Sequence, residues 1–457
     1  MTSDLLIVGG GTAGLQAARG AVALGLKPTL VTDGPIGGDC TFTGCIPSKT
    51  LLSESRKGSS FDTAMAAVHR TVEEIAATES ADVLRGEGVE VIEGRAVFTG
   101  PTSVSVDGKS YTASKSLIAT GAKIAAPPIP GLADSPYLTN ETLFELTTQP
   151  LRLAVIGAGA IGCEMAMAFA GFGTTVSLFE SAERVLPSEE PEASTQIQAS
   201  LTAAGVNVHV GSTVDQVLAQ GGKTVEIVAG DVRTVVDSVL VATGRRANVS
   251  GLGLDELGVE LDSDGNVVVD AKLRTSVADM SAAGDVTGLL PFTHAADEQA
   301  RMAVGHAFRT GSRWKYDVST TPWVVFTDPE VARVGLTEAQ AATRGGRVAF
   351  LPLHHVDRAL TDGRTDGFVK LIAGPKTLTG HRWGGKLIGA TIVAPRAGEM
   401  IHGPTLAARL GLLTGRLAQV TTPYPTWTTA IQQAAGMFFR PINGLEARDA
   451  GSEQRNA

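Results

Sequence analysis

Short apolar runs broken by glycines set the rhythm of this chain. Residues 4–33, DLLIVGGGTAGLQAARGAVALGLKPTLVTD, pass from an apolar run through a glycine cluster to apolar residues at helical spacing, and then to a second apolar run. This pattern predicts strand, turn, helix and strand, the opening of a doubly wound sheet. Residues 152–180, RLAVIGAGAIGCEMAMAFAGFGTTVSLFE, repeat it. After each unit comes a short apolar run closing on small residues, LIATG at 117–121 and LVATGRR at 240–246, which reads as a chain crossing between domains. From TTPWVVFTDPEVARVGLT onward the alternation is of strand type, as in GFVKLIAG and KLIGATIVA, and helices are expected over 396–412 and 426–436. A third, α+β domain follows from this change of period, and the polar stretch from Pro441 reads as a disordered tail.

Both βαβ units carry G-x-G-x-x-G at the strand-to-helix turn: Gly9, Gly11 and Gly14, then Gly157, Gly159 and Gly162. Glycines so placed allow a tight turn, close approach of backbone to a pyrophosphate, and close packing of helix on sheet, with the pyrophosphate at the helix N-terminus. One such motif is weak; two in full context point to two dinucleotides. An acid about 20 residues on should meet a ribose hydroxyl. The second unit supplies Glu180 there, which suits an unphosphorylated ribose and repels a 2′-phosphate. Arg184 is the only nearby basic residue, so NADP is the lesser alternative. The first unit offers Thr32 at the same offset, with Asp33 one place later. Further candidate cofactor contacts are Thr120 and Gly121 in the first crossing, Gly244 in the second, and Gly284 with Asp285 in DMSAAGDVTG, where a carboxylate after a small-residue strand can take a ribityl or ribose hydroxyl.

Composition narrows the function classes. The 457 residues allow two or three domains, and a formal charge of −9 argues against non-specific attraction to nucleic acid or anionic membrane. No apolar stretch reaches the length of a spanning helix and no basic leader precedes the first strand, so a soluble, cytoplasmic protein is expected. Three cysteines in that setting make no disulfide framework; they are packing, or a redox or metal pair. Two of them, Cys40 and Cys45, fall in GGDCTFTGCIPSKT, and Cys45 opens a helix whose N-terminus, with Lys49, favours its thiolate. Cys163 reads as packing. His354 and His355, taken as neighbours on a strand, should point to opposite faces and not ligate a metal together. No aromatic, basic stripe for nucleic acid and no G-x-S-x-G elbow appears.

GGGTAG, GGDCTFTGCIPSK, ATG, GAGAIGCE, ATGRR, AAGDV and FTDPEVARVGLT occur in that order. The set resembles the flavin-dependent pyridine nucleotide-disulfide oxidoreductases, the family of glutathione reductase, dihydrolipoamide dehydrogenase and mercuric reductase, over residues 4 to about 440. The resemblance implies an α/β fold with two Rossmann-like dinucleotide-binding domains, for FAD and NAD(P), plus a C-terminal α+β dimerisation domain. The expected division is 1–150 for FAD, 151–268 for NAD(P)H, 269–318 for a central domain completing the FAD site, 319–440 for the homodimer interface and 441–457 for the tail. It also implies that Cys40 and Cys45 are a redox disulfide, with Cys45 the flavin-facing thiol and Cys40 the interchange thiol, and that Lys49 and Glu164 form an ion pair tuning the flavin.

One departure stands out. Disulfide-reducing members carry a histidine before a proline and then a glutamate, reaching into the other subunit's site. Here, in TTPYPTWTTAIQQAAG, Tyr424 and Thr429 stand in those places, and the Tyr424-Pro425 bond is a candidate cis bond. A tyrosine near its ordinary pKa of about 10 cannot cycle a proton at neutral pH as histidine can. Three readings follow. The acceptor is a quinone or metal ion, as in mercuric reductase, although that enzyme's C-terminal cysteine pair has no counterpart in EARDAGSEQRNA. Alternatively the acceptor is a disulfide, as for dihydrolipoamide dehydrogenase, with His294 as substitute base. Or the flavoprotein binds or senses without catalysis. The expectation is an FAD enzyme oxidising NADH, with NADPH second, that has a small-molecule or metal-ion acceptor, no resident metal, and no nucleic-acid or membrane partner.

Overall fold

Continuous apolar runs such as LLIV and TLV suit parallel strands covered on both faces. The computed structural model, which describes residues 3–220, 224–309, 311, 313–376 and 378–452, uses them in that way. The chain divides into two units, one of residues 1–151 and 237–317 and one of residues 152–236 and 318–457.

In the first unit the strand Ser3–Val8 lies parallel between Pro28–Thr32 and Lys109–Ile118, and Glu90–Glu93 extends the sheet beyond Pro28–Thr32. Met280–Ala282 adds a parallel strand on Lys109–Ile118, while Ser103–Val106 and Ala96–Gly100 continue as an antiparallel meander. Leu6 and Ile7 have no exposed surface; each such side chain contributes about 1.5–3 kcal/mol by leaving water. The helices Thr12–Ala23 and Thr293–Phe308 share a core built from small residues, Ala17, Ala18, Ala21, Ala300 and Ala303, which brings both N-termini close to the sheet. The two small-residue crossings pair with each other as antiparallel strands, Ala122–Ile124 with Arg245–Ala247.

In the second unit Arg152–Ile156, Thr175–Phe179 and Asn207–His209 are parallel, and the helix Ala160–Gly171 is buried along most of its length. A three-stranded antiparallel sheet follows over Gln216–Ala219, Val225–Ala229 and Val232–Val236. The remaining sheet runs in the order Trp323–Val325, Glu330–Gly335, Lys386–Ala394, Phe368–Gly374, Arg347–Pro352 and Arg448–Asp449, antiparallel throughout. Helices His402–Arg409 and Thr429–Gly436 cover it, with Ala407, Ala430, Ile431 and Ala434 in its core.

A buried charge cluster fastens residues 189–192 to this sheet. Lys370, 1% exposed, donates to Glu192 at 2.7 Å, Glu338 at 3.0 Å and Glu190 at 3.3 Å. Arg333 bonds Glu189 at 2.7 Å and stacks over Trp323 at 4.1 Å. Burial pushes the Glu190 carboxyl up, whereas at Glu338 the opposing effect of burial is outweighed by Arg448 and Lys370, which hold it at about 2. Removing one member of such a set strands a buried charge and costs about 3–5 kcal/mol.

Three sequence expectations change here. Residues from Pro441 to 452 are not a loose tail: Arg448–Asp449 is the sixth strand of the sheet, Ala447 is buried, and Arg448 bonds Glu338. The last five residues lie outside those described. The 396–412 helix comes as two pieces, Ala397–Met400 and His402–Arg409. His354 and His355 lie on a 3-10 turn, Leu353–His355, with ring centroids 4.2 Å apart, so the opposite-faces argument from a strand does not apply. Among the described residues no group of three or more His, Cys, Asp or Glu side chains is placed to hold a metal, and no helix is long and apolar enough to cross a membrane.

Candidate active site

The two glycine turns have nearly the same geometry. Gly9 and Gly157 take φ of +113° and +101°, conformations that a side chain resists. A Cβ at Gly14 would lie 1.8 Å from the Gly9 carbonyl oxygen, and one at Gly162 would lie 1.9 Å from that of Gly157, so helix meets strand there only because both are glycine. At the middle positions, Gly11 and Gly159, a Cβ would meet nothing within 4 Å. That open space lies in front of the helix N-terminus, where a pyrophosphate can approach the backbone.

The strand ends differ. Glu180 accepts hydrogen bonds from the Ala158 N–H at 2.7 Å and the Ala182 N–H at 2.9 Å, which fix its carboxylate beside the second turn. Arg184 donates to the carbonyls of Pro187 at 2.7 Å and Glu189 at 3.1 Å, so its guanidinium is engaged by its own loop. Thr32 is buried and its hydroxyl donates to the Gly34 carbonyl at 2.9 Å, while Asp33 is exposed.

Cys40 lies in the short helix Gly38–Phe42, and Cys45 is the first residue of Cys45–Arg56. Both are half-buried thiols outside any disulfide. The Cys45 sulfur is 3.3 Å from the Thr293 hydroxyl, at the start of Thr293–Phe308. The Cys40 thiol is pushed far above its ordinary value by its hydrogen bond to Cys45, then by burial and by the charge of Cys45, with the hydroxyls of Thr293 and Thr12 acting in the opposite sense. Cys45, at the N-terminus of its helix, is the sulfur of the pair where a thiolate is favoured. A cavity of about 490 Å³ opens beside Cys45, with Lys49, Lys57 and Arg70 among its walls. Cys163 is fully buried, its thiol raised by burial, and it donates to the Ala158 carbonyl at 3.3 Å.

Glu164, 3% exposed, accepts from the Phe326 N–H at 2.9 Å. His294 stacks on Phe292 with ring centroids 5.7 Å apart. The Tyr424-Pro425 bond is cis, and the Tyr424 hydroxyl donates to the Asp357 carboxylate at 2.9 Å, which raises the phenol above its ordinary pKa.

Comparison with known proteins decides the family. The family model described as pyridine nucleotide-disulphide oxidoreductase matches residues 3–300, and that of its dimerisation domain matches 321–435. The chain belongs to the pyridine nucleotide-disulphide oxidoreductases. It is 36% identical to the mercuric reductase of Bacillus cereus over 97% of this chain and 72% of that one. It is 34% identical to the glutathione reductase of Burkholderia cepacia over 89% and 92%. Among solved structures, the Cu(II) complex of the HOCl-induced flavoprotein disulfide reductase RclA from Escherichia coli superposes with a TM-score of 0.86 at 28% identity, covering 96% of this chain and 99% of that one. The protein is thus an FAD-dependent NAD(P)H oxidoreductase of this family, with the two-Rossmann-plus-dimerisation fold, and its dimerisation domain supports a homodimer.

The first unit of this oxidoreductase has the features that an FAD needs. Beyond the open space at Gly11, Asp285 is a deeply placed carboxyl raised by burial, with Arg245 3.7 Å away pulling in the opposite direction. Thr120 Oγ1 and Arg245 Nε are buried polar atoms without a hydrogen-bond partner among the described residues, groups that a bound ribityl or phosphate can satisfy. The motif reading missed several neighbours. Arg245 bonds Asp39 and the Ala122 carbonyl; Gln299, fully buried, accepts from the Gly284 N–H at 2.8 Å and the Thr287 hydroxyl at 3.4 Å. Gln299 thereby fixes the turn that carries Asp285. A lone glutamine inside a helical pattern carries no sequence signal for that task, whereas Arg245 stood visible in ATGRR.

Proposed function

We propose that this enzyme is an NADH-dependent reductase of a thiophilic metal ion, which Cys40 and Cys45 meet as thiols, and that it is not a disulfide reductase. The carrying observation is Tyr424, hydrogen-bonded to Asp357, in the place where the disulfide-reducing members are expected to hold a histidine. Its phenol is raised further from neutrality by that carboxylate, so it cannot alternate between acid and base during thiol exchange. Soft thiolates suit ions such as Hg(II) and Cu(I). Two of the named relatives support a metal-ion acceptor: one is a mercuric reductase, and RclA, itself named a flavoprotein disulfide reductase, was solved as a Cu(II) complex; the glutathione reductase favours the competing reading.

Bound FAD supplies the two-electron link between the nicotinamide and the cysteine pair. Gly9, Gly11, Gly14, Thr32, Asp33, Thr120, Gly121, Gly284 and Asp285 would hold it, and Lys49 would tune it. Gly157, Gly159, Gly162 and Glu180 would hold the nicotinamide dinucleotide. Glu180 selects NADH, because its fixed carboxylate meets a ribose hydroxyl and repels a 2′-phosphate, and the engaged Arg184 offers that phosphate no counter-charge. Both sulfurs would bind the ion as thiolates, so thiol protons on the pair leave as the metal binds. With Cu(II), each NADH yields NAD⁺, one proton and two electrons, which reduce two Cu(II) to Cu(I).

The test is anaerobic NADH consumption with Cu(II), Hg(II), a small quinone, lipoamide and glutathione disulfide side by side. Metal-ion turnover at least tenfold above either disulfide is expected. Fast turnover of a disulfide would replace this reading with that of a thiol reductase using His294 as base. Fast quinone turnover alone would make the cysteine pair a bystander, and no NADH oxidation with any acceptor would leave a binding or sensing flavoprotein.

A further inference from the structure

Tyr424 is 72% exposed in the chain, so packing does not fix its ring. Its orientation comes from one contact, the hydroxyl donating at 2.9 Å to Asp357 Oδ2, which is 67 residues away in sequence and opens the helix Asp357–Asp362. A phenol has one proton to donate, and here Asp357 holds it. The Tyr424 oxygen is left with lone pairs only. Asp357 is itself uncompensated: it pairs with no cation among the described residues, and the adjacent Arg358 is turned to Asp362 at 2.9 Å. On the preceding turn, His355 is lowered by burial and by His354, so its ring stays neutral at neutral pH and adds no positive charge.

Building on the metal-ion reading above, we propose that Asp357 is the positioning residue for Tyr424, and that it makes this side of the acceptor site a hydrogen-bond acceptor beside a bare carboxylate, which favours a hydrated cation over a quinone. A quinone carbonyl needs a donor, and the phenol has none left to give. The waters on a cation are donors, and the cation's charge is attracted by the carboxylate. The glutamate that would serve a histidine in the disulfide reductases is Thr429 here; its hydroxyl lies 3.3 Å from that of Thr426 and 3.4 Å from the Pro423 carbonyl. Tyr424 thus draws its carboxylate from a different element.

The experiment compares wild type, Asp357→Asn, Tyr424→Phe and the double variant as FAD-loaded dimers, using Cu(II) and benzoquinone as acceptors. The ratio of Cu(II) to benzoquinone kcat/KM should fall about tenfold in each single variant, through KM for Cu(II), because Tyr424→Phe loses the hydrogen bond to a charged group and Asp357→Asn loses the charge while keeping an acceptor oxygen. The double variant should fall no further, because the two side chains act as one unit. In alkaline ultraviolet difference titrations against the Tyr424→Phe protein, the wild-type phenol should titrate above an ordinary tyrosine and shift down in Asp357→Asn. Additive losses, an unchanged acceptor ratio, or a titration that Asp357→Asn does not move would overturn the inference. If wild type reduces Cu(II) while Asp357→Asn matches it, this inference alone fails; if wild type reduces a quinone or disulfide but no metal ion, the metal-ion reading fails and the cation preference with it.

Discussion

The two glycine turns are built alike and end differently, and the difference separates what a fold supplies from what a ligand selects. Both place a close helix-strand contact at the third glycine, 1.8 Å and 1.9 Å for an added Cβ, and both leave open space at the second. Backbone geometry of this kind accepts any pyrophosphate. The strand ends carry the distinction. In the second unit a carboxylate is locked onto one backbone N–H of the turn and one of its own loop, whereas in the first a buried threonine closes on its own loop and Asp33 is exposed. The first site instead draws its charge from a separate segment, Asp285 with Arg245 and Asp39. On the proposed assignment, one dinucleotide would be held within its βαβ unit and the other by distant parts of the chain.

The largest expected effects come from the third glycines, where the clash is with backbone. Gly14→Ala must move helix from strand; overpacking of this kind costs about 1–3 kcal/mol or more. The purified protein should carry little flavin, as read by its visible absorbance, and melt lower. Gly162→Ala should keep its flavin and raise KM for NADH by about tenfold or more. If Gly162→Ala also loses flavin, the two turns do not serve separate ligands. Gly11→Ala and Gly159→Ala, whose added Cβ meets only open space, should leave the melting temperature within a degree or two while weakening their respective ligands.

The next effect should be at Glu180. Glu180→Ala removes two charge-assisted hydrogen bonds and the repulsion of a 2′-phosphate; with about 1.5–3 kcal/mol for a bond to a charged group, the NADH to NADPH ratio of kcat/KM should fall about tenfold or more. An unchanged ratio would place nucleotide selection elsewhere and remove the sharpest contrast between the turns.

How much of this was legible in sequence follows the same division. Glycine turns and strand alternation announce themselves because local geometry allows few other residues there. Glu180 was readable for the same reason, since its partner lies within one unit. Contacts that join distant segments left no local mark: Gln299 under the Asp285 turn, Asp39 on Arg245, and Asp357 on Tyr424. The tail was misread because its polar residues are the ones that bond, Arg448 to Glu338, while its one buried apolar residue, Ala447, gives no periodic signal. His354 and His355 were misread because a two-residue pattern does not distinguish a strand from a tight turn.

The smallest effect should be at Thr32, and it bears most directly on the comparison. Thr32 occupies the position that Glu180 occupies in the second unit, yet its hydroxyl is spent on the Gly34 carbonyl, and its side chain fills space that a Cβ at Gly10 would enter at 2.6 Å. Thr32→Val keeps nearly the same shape and loses the hydroxyl's two neutral hydrogen bonds with Gly34, each costing about 0.5–1.5 kcal/mol. If the hydroxyl only braces the loop, that cost should appear in the melting temperature, while the FAD dissociation constant moves less than about threefold. If instead flavin affinity drops about tenfold, Thr32 is itself a ribose contact, and the two units grip their ligands in the same way after all.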